Sequence, residues 1–310
     1  MGVIYVISTE PAAGKTAICA GLGKYLTGEG KKVGYLKPLA SSENDTDVTF
    51  IRSVLGTDDT VNAADVLKSG DIVLVEGMLG PDAADSVSQA SYSSAKEMKA
   101  RVIAVEAYTG KASKYTEIYK GFGDGLAGII INKVPQSQMK KTKERAGAAF
   151  ADAGITLLGV LPENRRLLAV TVNELAESLS GQILNNTDKA DNLVENYMLG
   201  AMIVDSGLDY FGRKLDKAAI IRHDRPDMQL AALETPTRCL ILSGNNATPV
   251  YNVLQRAEVK GIPVITTEYA TGDIIGIIEE RLANNKCHQA NKIPALADMV
   301  KQNLELKIFA

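Results

Sequence analysis

The sequence predicts an α/β protein: a parallel sheet with helices on both faces, followed by a smaller α/β domain. Three observations predict it. Short, almost wholly apolar runs such as Val3–Ile7 and Ile72–Val75 alternate with stretches of helical spacing. Strands that are apolar on both sides belong to sheets buried on both faces. A loop ending Gly14-Lys15-Thr16 joins the first apolar run to the first helical stretch. A polar, turn-rich run, residues 185–191, then separates two halves that each show the alternation.

The elements follow in order. Residues 3–8 read as a buried strand. Residues 15–29 read as a helix, because Ala17, Ala20, Leu22 and Tyr25 recur near helical spacing and Gly28 and Gly30 close it. Strands are expected at 32–37, 71–76, 101–105, 128–132 and 157–160, with helices at 45–56, 94–99, 111–122, 138–153 and 170–184. The run 185–191 places the boundary, giving domains of 1–186 and 190–310. In the second, 218–221, 239–242 and 264–266 read as strands with helices between and after.

Composition narrows the function classes. A chain of 310 residues has room for two domains of about 150 each. With 45% hydrophobic and 23% charged residues it is an ordinary globular sequence. A net charge of −3 argues against nucleic acid as a partner. The dense basic run Lys140–Arg145 reads as a solvated helix face. Cys19, Cys239 and Cys287 stand too far apart for a metal site or a disulfide framework, so a reducing cytoplasmic location is expected. No apolar run approaches the ~18 residues of a membrane span. The strand-like start carries no leader, so neither membrane nor secretion is expected.

The chemistry concentrates in the loop Ser8–Thr16. A Gly-Lys-Thr between a buried strand and a helix is the working end of a P-loop: successive backbone N–H groups cradle phosphate oxygens and the helix N-terminus adds a positive dipole. Glu10, Ala12, Ala13, Gly14, Lys15, Thr16 and Ala17 are therefore expected to surround the phosphates, with Lys15 on the outer phosphates and the Thr16 hydroxyl on Mg²⁺. The ordinary motif has a glycine five residues before Gly14, where this chain has Thr9. Glu76 ends the third strand on the same sheet edge and can hold Mg²⁺ or its waters. Lys37 ends the second strand there and can meet a phosphate or an anionic substrate. Asp45 and Asp47 follow, and Asp47 is the preferred metal carboxylate. Asn132 ends the fifth strand, where a side-chain amide can read a purine edge.

These residues resemble a family. Residues ~3–183 look like dethiobiotin synthetase and the similar N-terminal region of some phosphate acetyltransferases, which implies a P-loop NTPase-type sheet. Their P-loop has one extra residue before Gly-Lys-Thr, and Ser8 stands where its first glycine falls. Lys37-Pro38 resembles the family's Lys-Pro, whose lysine engages substrate and phosphate. Asp47 and Val75-Glu76-Gly77 match its metal carboxylates. Asn132 falls on its adenine-binding asparagine, and Pro162-Glu163 on a further loop beside the base. The resemblance implies ATP and Mg²⁺ as cofactors and a homodimer. The absence of a GTP-type Asn-Lys-x-Asp after Asn132-Lys133 also favours adenine.

The second half resembles the DRTGG domain over residues 196–202, Asp224–Asp227 and Leu233–Thr235, without the namesake pentapeptide. Asp224, Arg225 and Asp227 form either a ligand-facing loop or a salt-bridged surface.

Departures from the family shape the functional expectation. Only 28 residues lie between Asp47 and Glu76, and the glycine-rich run after the metal glutamate is altered to Met78-Leu79-Gly80-Pro81. The nucleotide half of the site is kept and the second-substrate half reduced. The 310 residues leave no room for an acetyltransferase catalytic domain, so a complete enzyme of that kind is not expected.

Three readings stay open. One is a nucleotide-dependent regulator whose second domain meets a small molecule or protein. Another is an ATP-dependent ligase or carboxylase in which Lys15 and Lys37 stabilise an acyl or carbamoyl phosphate. The third is a scaffold with a degenerate P-loop.

Overall fold

The computed structural model describes residues 2–38, 45–57, 71–111, 113–201, 207–283, 285 and 287–306. The chain forms two compact units. The first takes residues 1–164 and 288–310, and the second takes 165–287.

The first unit is built on six parallel strands in the order β2-β3-β1-β4-β5-β6. They are β1 (Gly2–Ile7), β2 (Val33–Leu36), β3 (Ile72–Glu76), β4 (Arg101–Ala107), β5 (Leu126–Val134) and β6 (Leu157–Pro162). Their apolar residues serve both faces, as parallel strands require. Val3, Tyr5, Ile7, Val73, Val75, Val102 and Ala104 share one core with Ala95, Ile118, Tyr119 and Phe150. The helices are α1 (Lys15–Gly28), α2 (Thr46–Leu55), α3 (Ser86–Glu97), α4 (Thr116–Lys120) and α5 (Met139–Asp152). β1 lies between β3 and β4, with Val6 opposite Glu76, so the loop after β1 and the end of Glu76's strand share one edge.

The second unit begins with α6 (Arg165–Leu168), β7 (Val170–Thr171), α7 (Val172–Ser178), β8 (Gln182–Ile183) and β9 (Leu193–Val194). It continues with β10 (Asn196–Leu199), α8 (Gly207–Gly212), β11 (Lys217–Arg222), α9 (Pro226–Leu233) and β12 (Thr237–Ser243), then α10 (Tyr251–Lys260), β13 (Val264–Thr266) and α11 (Thr271–Ala283). Its main sheet runs β10-β11-β12-β13-β8, parallel except for the antiparallel pair β13–β8. Alternate residues serve opposite cores: Ala218, Ile220, Cys239, Ile241 and Ile265 one, Ala219, Ile221, Leu240, Leu242 and Val264 the other.

The sequence-based elements shift in three places. The expected helix 170–184 is strand, helix and strand, because a capping box between Thr171 and Glu174 starts α7 at Val172. Ser180 at φ 45° marks the turn that follows it. Helix 94–99 is only the tail of α3, which Asp85 caps by accepting the Val87 N–H. Helix 111–122 contracts to α4, with Gly121 pressed against the Tyr92 ring.

The domain boundary also moves, from 186–190 to 164–165. Polarity had marked 185–191 as a linker, but Asn185 is buried. It accepts the Val264 N–H and donates to the Ile262 carbonyl, tying the run into the second unit's core. Met202 and residues 307–310 of the expected second domain lie outside the described residues.

The end of the chain returns to the first unit. Helix α12 (Ile293–Asn303) buries Ile293, Leu296, Met299 and Val300 and packs along α1, while Leu304 bridges to Gly159 of β6. Glycine inside a helix costs about 1 kcal/mol against alanine, yet α1 contains Gly21 at this contact. A Cβ there would stand 2.8 Å from the Leu296 carbonyl oxygen and 2.9 Å from Val300 Cγ2. Gly21→Val is therefore expected to push α12 off α1 and lower stability by roughly 2 kcal/mol or more in urea denaturation. A variant as stable as the wild type would mean that α12 does not seat as closely as described.

Candidate functional site

The loop after β1 is shaped from within. Ser8 is fully buried, and its hydroxyl both accepts the Glu10 N–H (3.0 Å) and donates to the Glu10 carbonyl (2.9 Å). Ser8 thus closes the first turn of the loop with its own side chain. Gly14 sits at φ 97°, a left-handed conformation that favours glycine. A Cβ there would also lie 2.3 Å from Asn132 Nδ2. No side chain caps α1 at Gly14, and helical geometry gives the first-turn N–H groups no intrahelical acceptor. They form an anion-seeking end of the helix.

Side chains from three strand ends crowd this turn. Lys15 is buried, and burial pulls its ammonium below the usual lysine range even though the charge of Glu76 opposes the shift. Lys37 and Asp47 also lie within electrostatic reach of it. The Thr16 hydroxyl is 3.0 Å from both oxygens of Glu76. Glu76, itself buried, also accepts the Tyr35 hydroxyl at 2.8 Å. Lys37 donates to both oxygens of Asp45 (3.0 and 3.1 Å) and to Asp47. Burial pulls Lys37 down, but its hydrogen bonds to Asp47 and Asp45 outweigh that and hold it above the ordinary lysine value. Burial likewise raises Asp45, and the hydrogen bonds from Lys37 and the Asp47 N–H outweigh it, leaving the carboxyl below the usual range. Asp45 is also the N-cap of α2, which fixes Asp47 in the first turn beside Lys37.

Lys15, Thr16, Lys37, Asp47 and Glu76, chosen from separate parts of the sequence, thus converge on one edge. Ala13 is buried, Glu10 and Ala17 are half-buried, and Ala12 is exposed, all within the loop or the first turn of α1. Asn132 is placed differently from the expected purine reader. Its Nδ2 donates to the Ala13 carbonyl at 2.8 Å and its Oδ1 accepts the Lys133 N–H, so its amide braces the loop. Pro162 ends β6, three strands along from β1.

Sequence reasoning missed Tyr35, Lys133 and His288. Lys133, at φ 60°, donates to the Ala12 carbonyl at 2.8 Å. His288 Nε2 lies 2.7 Å from Asp47 Oδ1. Lys133 could have been suspected from its place beside Asn132. Nothing in the sequence singles out Tyr35 or His288.

Among the described residues no cluster of three or more His, Cys, Asp or Glu side chains forms a metal cage. Mg²⁺ does not need one, because it keeps waters and takes one or two carboxylates with substrate phosphates. The Thr16 hydroxyl and the Glu76 carboxylate, already within 3.0 Å of each other, fit that donor set, with Asp47 as a second carboxylate. Among the described residues no helix is long and apolar enough to cross a membrane. At the ends of β4 and β5, a cavity of about 360 Å³ is lined by Glu106, Tyr108, Lys111, Lys141, Arg145 and Phe150. Burial raises the Glu106 carboxyl above the ordinary range.

Two family models match the chain: an AAA domain over residues 3–68 and a DRTGG domain over 174–281. Phosphate acetyltransferase of Haemophilus influenzae is 22% identical over 321 residues, covering 81% of this chain and 43% of that protein. The enzyme of Pseudomonas aeruginosa is 25% identical over 281 residues, covering 75% and 40%. The chain thus spans less than half the length of these relatives. Among solved structures, the CBS and DRTGG domains of the regulatory region of Clostridium perfringens pyrophosphatase, complexed with the activator diadenosine tetraphosphate, align at 17% identity. That alignment covers 49% of this chain and 71% of the other, with a TM-score of 0.33, too low to carry any argument about ligand or role. The chain is thus similar to an AAA domain in its first part and to a DRTGG domain in its second.

Proposed function

We propose that the first unit binds Mg-ATP and that the chain is a nucleotide-dependent regulator, cytoplasmic and homodimeric, whose DRTGG domain meets a small molecule or a protein. The supporting observation is the convergence of Lys15, Thr16, Lys37, Asp47 and Glu76 around the left-handed turn at Gly14. In this reading the first-turn N–H groups of α1 and Lys15 hold the phosphates. Thr16 and the two carboxylates hold Mg²⁺, which when bound neutralises phosphate charge. Lys37, drawn from Asp45 and Asp47, supplies a second cation. Asn132 and Lys133 keep the loop backbone at Ala12 and Ala13 in place, and Pro162 lies on the base side.

Titration calorimetry of the wild type is expected to show ATP binding that requires Mg²⁺. Lys15→Ala is expected to weaken it by roughly 10- to 100-fold, the loss of a charged hydrogen-bonding group. Glu76→Gln should mainly lower the Mg²⁺ dependence. No binding by the wild type would favour the scaffold reading instead.

One observation favours a second reading, an ATP-dependent ligase of the dethiobiotin synthetase type. The cavity at the ends of β4 and β5 has a basic lining from Lys111, Lys141 and Arg145 and a half-buried acid, Glu106. It is of a size to take a small carboxylate or amine. A ligase should release ADP faster when its second substrate is added. Slow release that no small amine or carboxylate accelerates is the outcome expected of a regulator.

A further inference from the structure

His288 stands at a junction. The second unit ends at Cys287, and His288 is the first residue of the segment that rejoins the first unit. Its Nε2 lies 2.7 Å from Asp47 Oδ1, and its ring lies against Phe50 of α2 with centroids 4.9 Å apart. An ionised carboxylate only accepts hydrogen bonds, so Nε2 carries the proton and donates. Asp47 Oδ2 is taken by Lys37, which is also held by both oxygens of Asp45. Both oxygens of the carboxylate proposed for the metal are therefore engaged by cationic or N–H donors.

The rest of the returning segment is anchored. Five residues on, α12 begins and buries Ile293, Leu296 and Val300 along α1, the helix that carries the phosphate loop. Gly21 is pressed against the Leu296 carbonyl there. Along the chain His288 thus lies between the last residue of the second unit and α12, and its bond to Asp47 ties that stretch to the proposed metal site.

We propose that His288 is a positioning residue that latches Asp47 in its resting pairing, and that loading of the metal-nucleotide exchanges this hydrogen bond for the metal. The idea rests on the Mg-nucleotide reading of the first unit. It gives the regulator a physical link: occupancy of the site frees the first residue after the DRTGG unit. A latch competes with the metal for Asp47, so its removal strengthens metal-dependent binding and leaves metal-free binding alone.

The full chain has two histidines, His223 and His288, so ring resonances of ¹³C-histidine-labelled wild type can be assigned with one variant. The latch predicts that the His288 signal moves on adding Mg²⁺ with a non-hydrolysable ATP analogue and stays put with the analogue in EDTA. His288→Phe keeps a ring on Phe50 and removes the donor. It should bind Mg-ATP about 3- to 10-fold more tightly, the worth of one hydrogen bond, with unchanged affinity in EDTA. Should that variant melt early, His288→Gln, which keeps a donor, replaces it and should leave the affinity near the wild type's.

An unmoved His288 signal despite Mg-dependent binding overturns the latch while leaving the nucleotide reading intact. So does a shift of equal size in EDTA, or a folded His288→Phe with unchanged affinity. Absence of Mg-dependent binding by the wild type overturns both.

Discussion

Charge removed from water at the carboxyl edge of the first sheet is the constraint on which the site depends. Lys15 and Glu76 are both more than nine-tenths buried, and Lys37, Asp45 and Asp47 crowd beside them. Buried charge is tolerated only when it is paired and hydrogen-bonded. Here the partners are internal: the Thr16 and Tyr35 hydroxyls hydrogen-bond Glu76, while Lys37 and His288 hold Asp47. Each of these contacts contains a group suited to a phosphate or a divalent cation. Opposite charges that hold one another can be exchanged for opposite charges on a ligand at modest net cost, because the desolvation has already occurred on folding.

The geometry of the loop follows from that crowding. Ser8 makes the turn by folding its hydroxyl onto Glu10. Asn132 and Lys133 brace the carbonyls of Ala13 and Ala12 from the end of β5. Three strand ends and the loop therefore form one hydrogen-bonded unit. Ser8 therefore keeps the turn that leads to Gly14, Lys15 and Thr16.

Much of this was legible in the sequence, and the remainder was hidden for identifiable reasons. β1, β3 and β12 are continuous apolar runs bounded by turns, so their periodicity and length mark them. Lys15 and Thr16 are readable because they open the helix after the first strand's loop, and Glu76 because it ends a strand on the same edge. The helix at 170–184 was misread because apolar spacing outweighed the Thr171–Glu174 capping box, which starts the helix later. The boundary was misplaced because a polar run such as 185–191 reads as linker, whereas buried Asn185 uses its amide as backbone glue. The return of α12 could not be seen at all: its apolar face at Ile293, Leu296 and Val300 predicts burial without saying which core receives it. His288 and Tyr35 were missed for the same reason, since their partners are 241 and 41 residues away.

The most direct test of the central claim is a crystal structure of the full chain grown with Mg²⁺ and a non-hydrolysable ATP analogue. The account predicts the analogue's phosphates on the N–H groups of Gly14, Lys15 and Thr16, with the Thr16 hydroxyl turned from Glu76 to the metal. An analogue bound only in the second unit, with the Thr16–Glu76 and Lys37–Asp47 pairs intact, would contradict it.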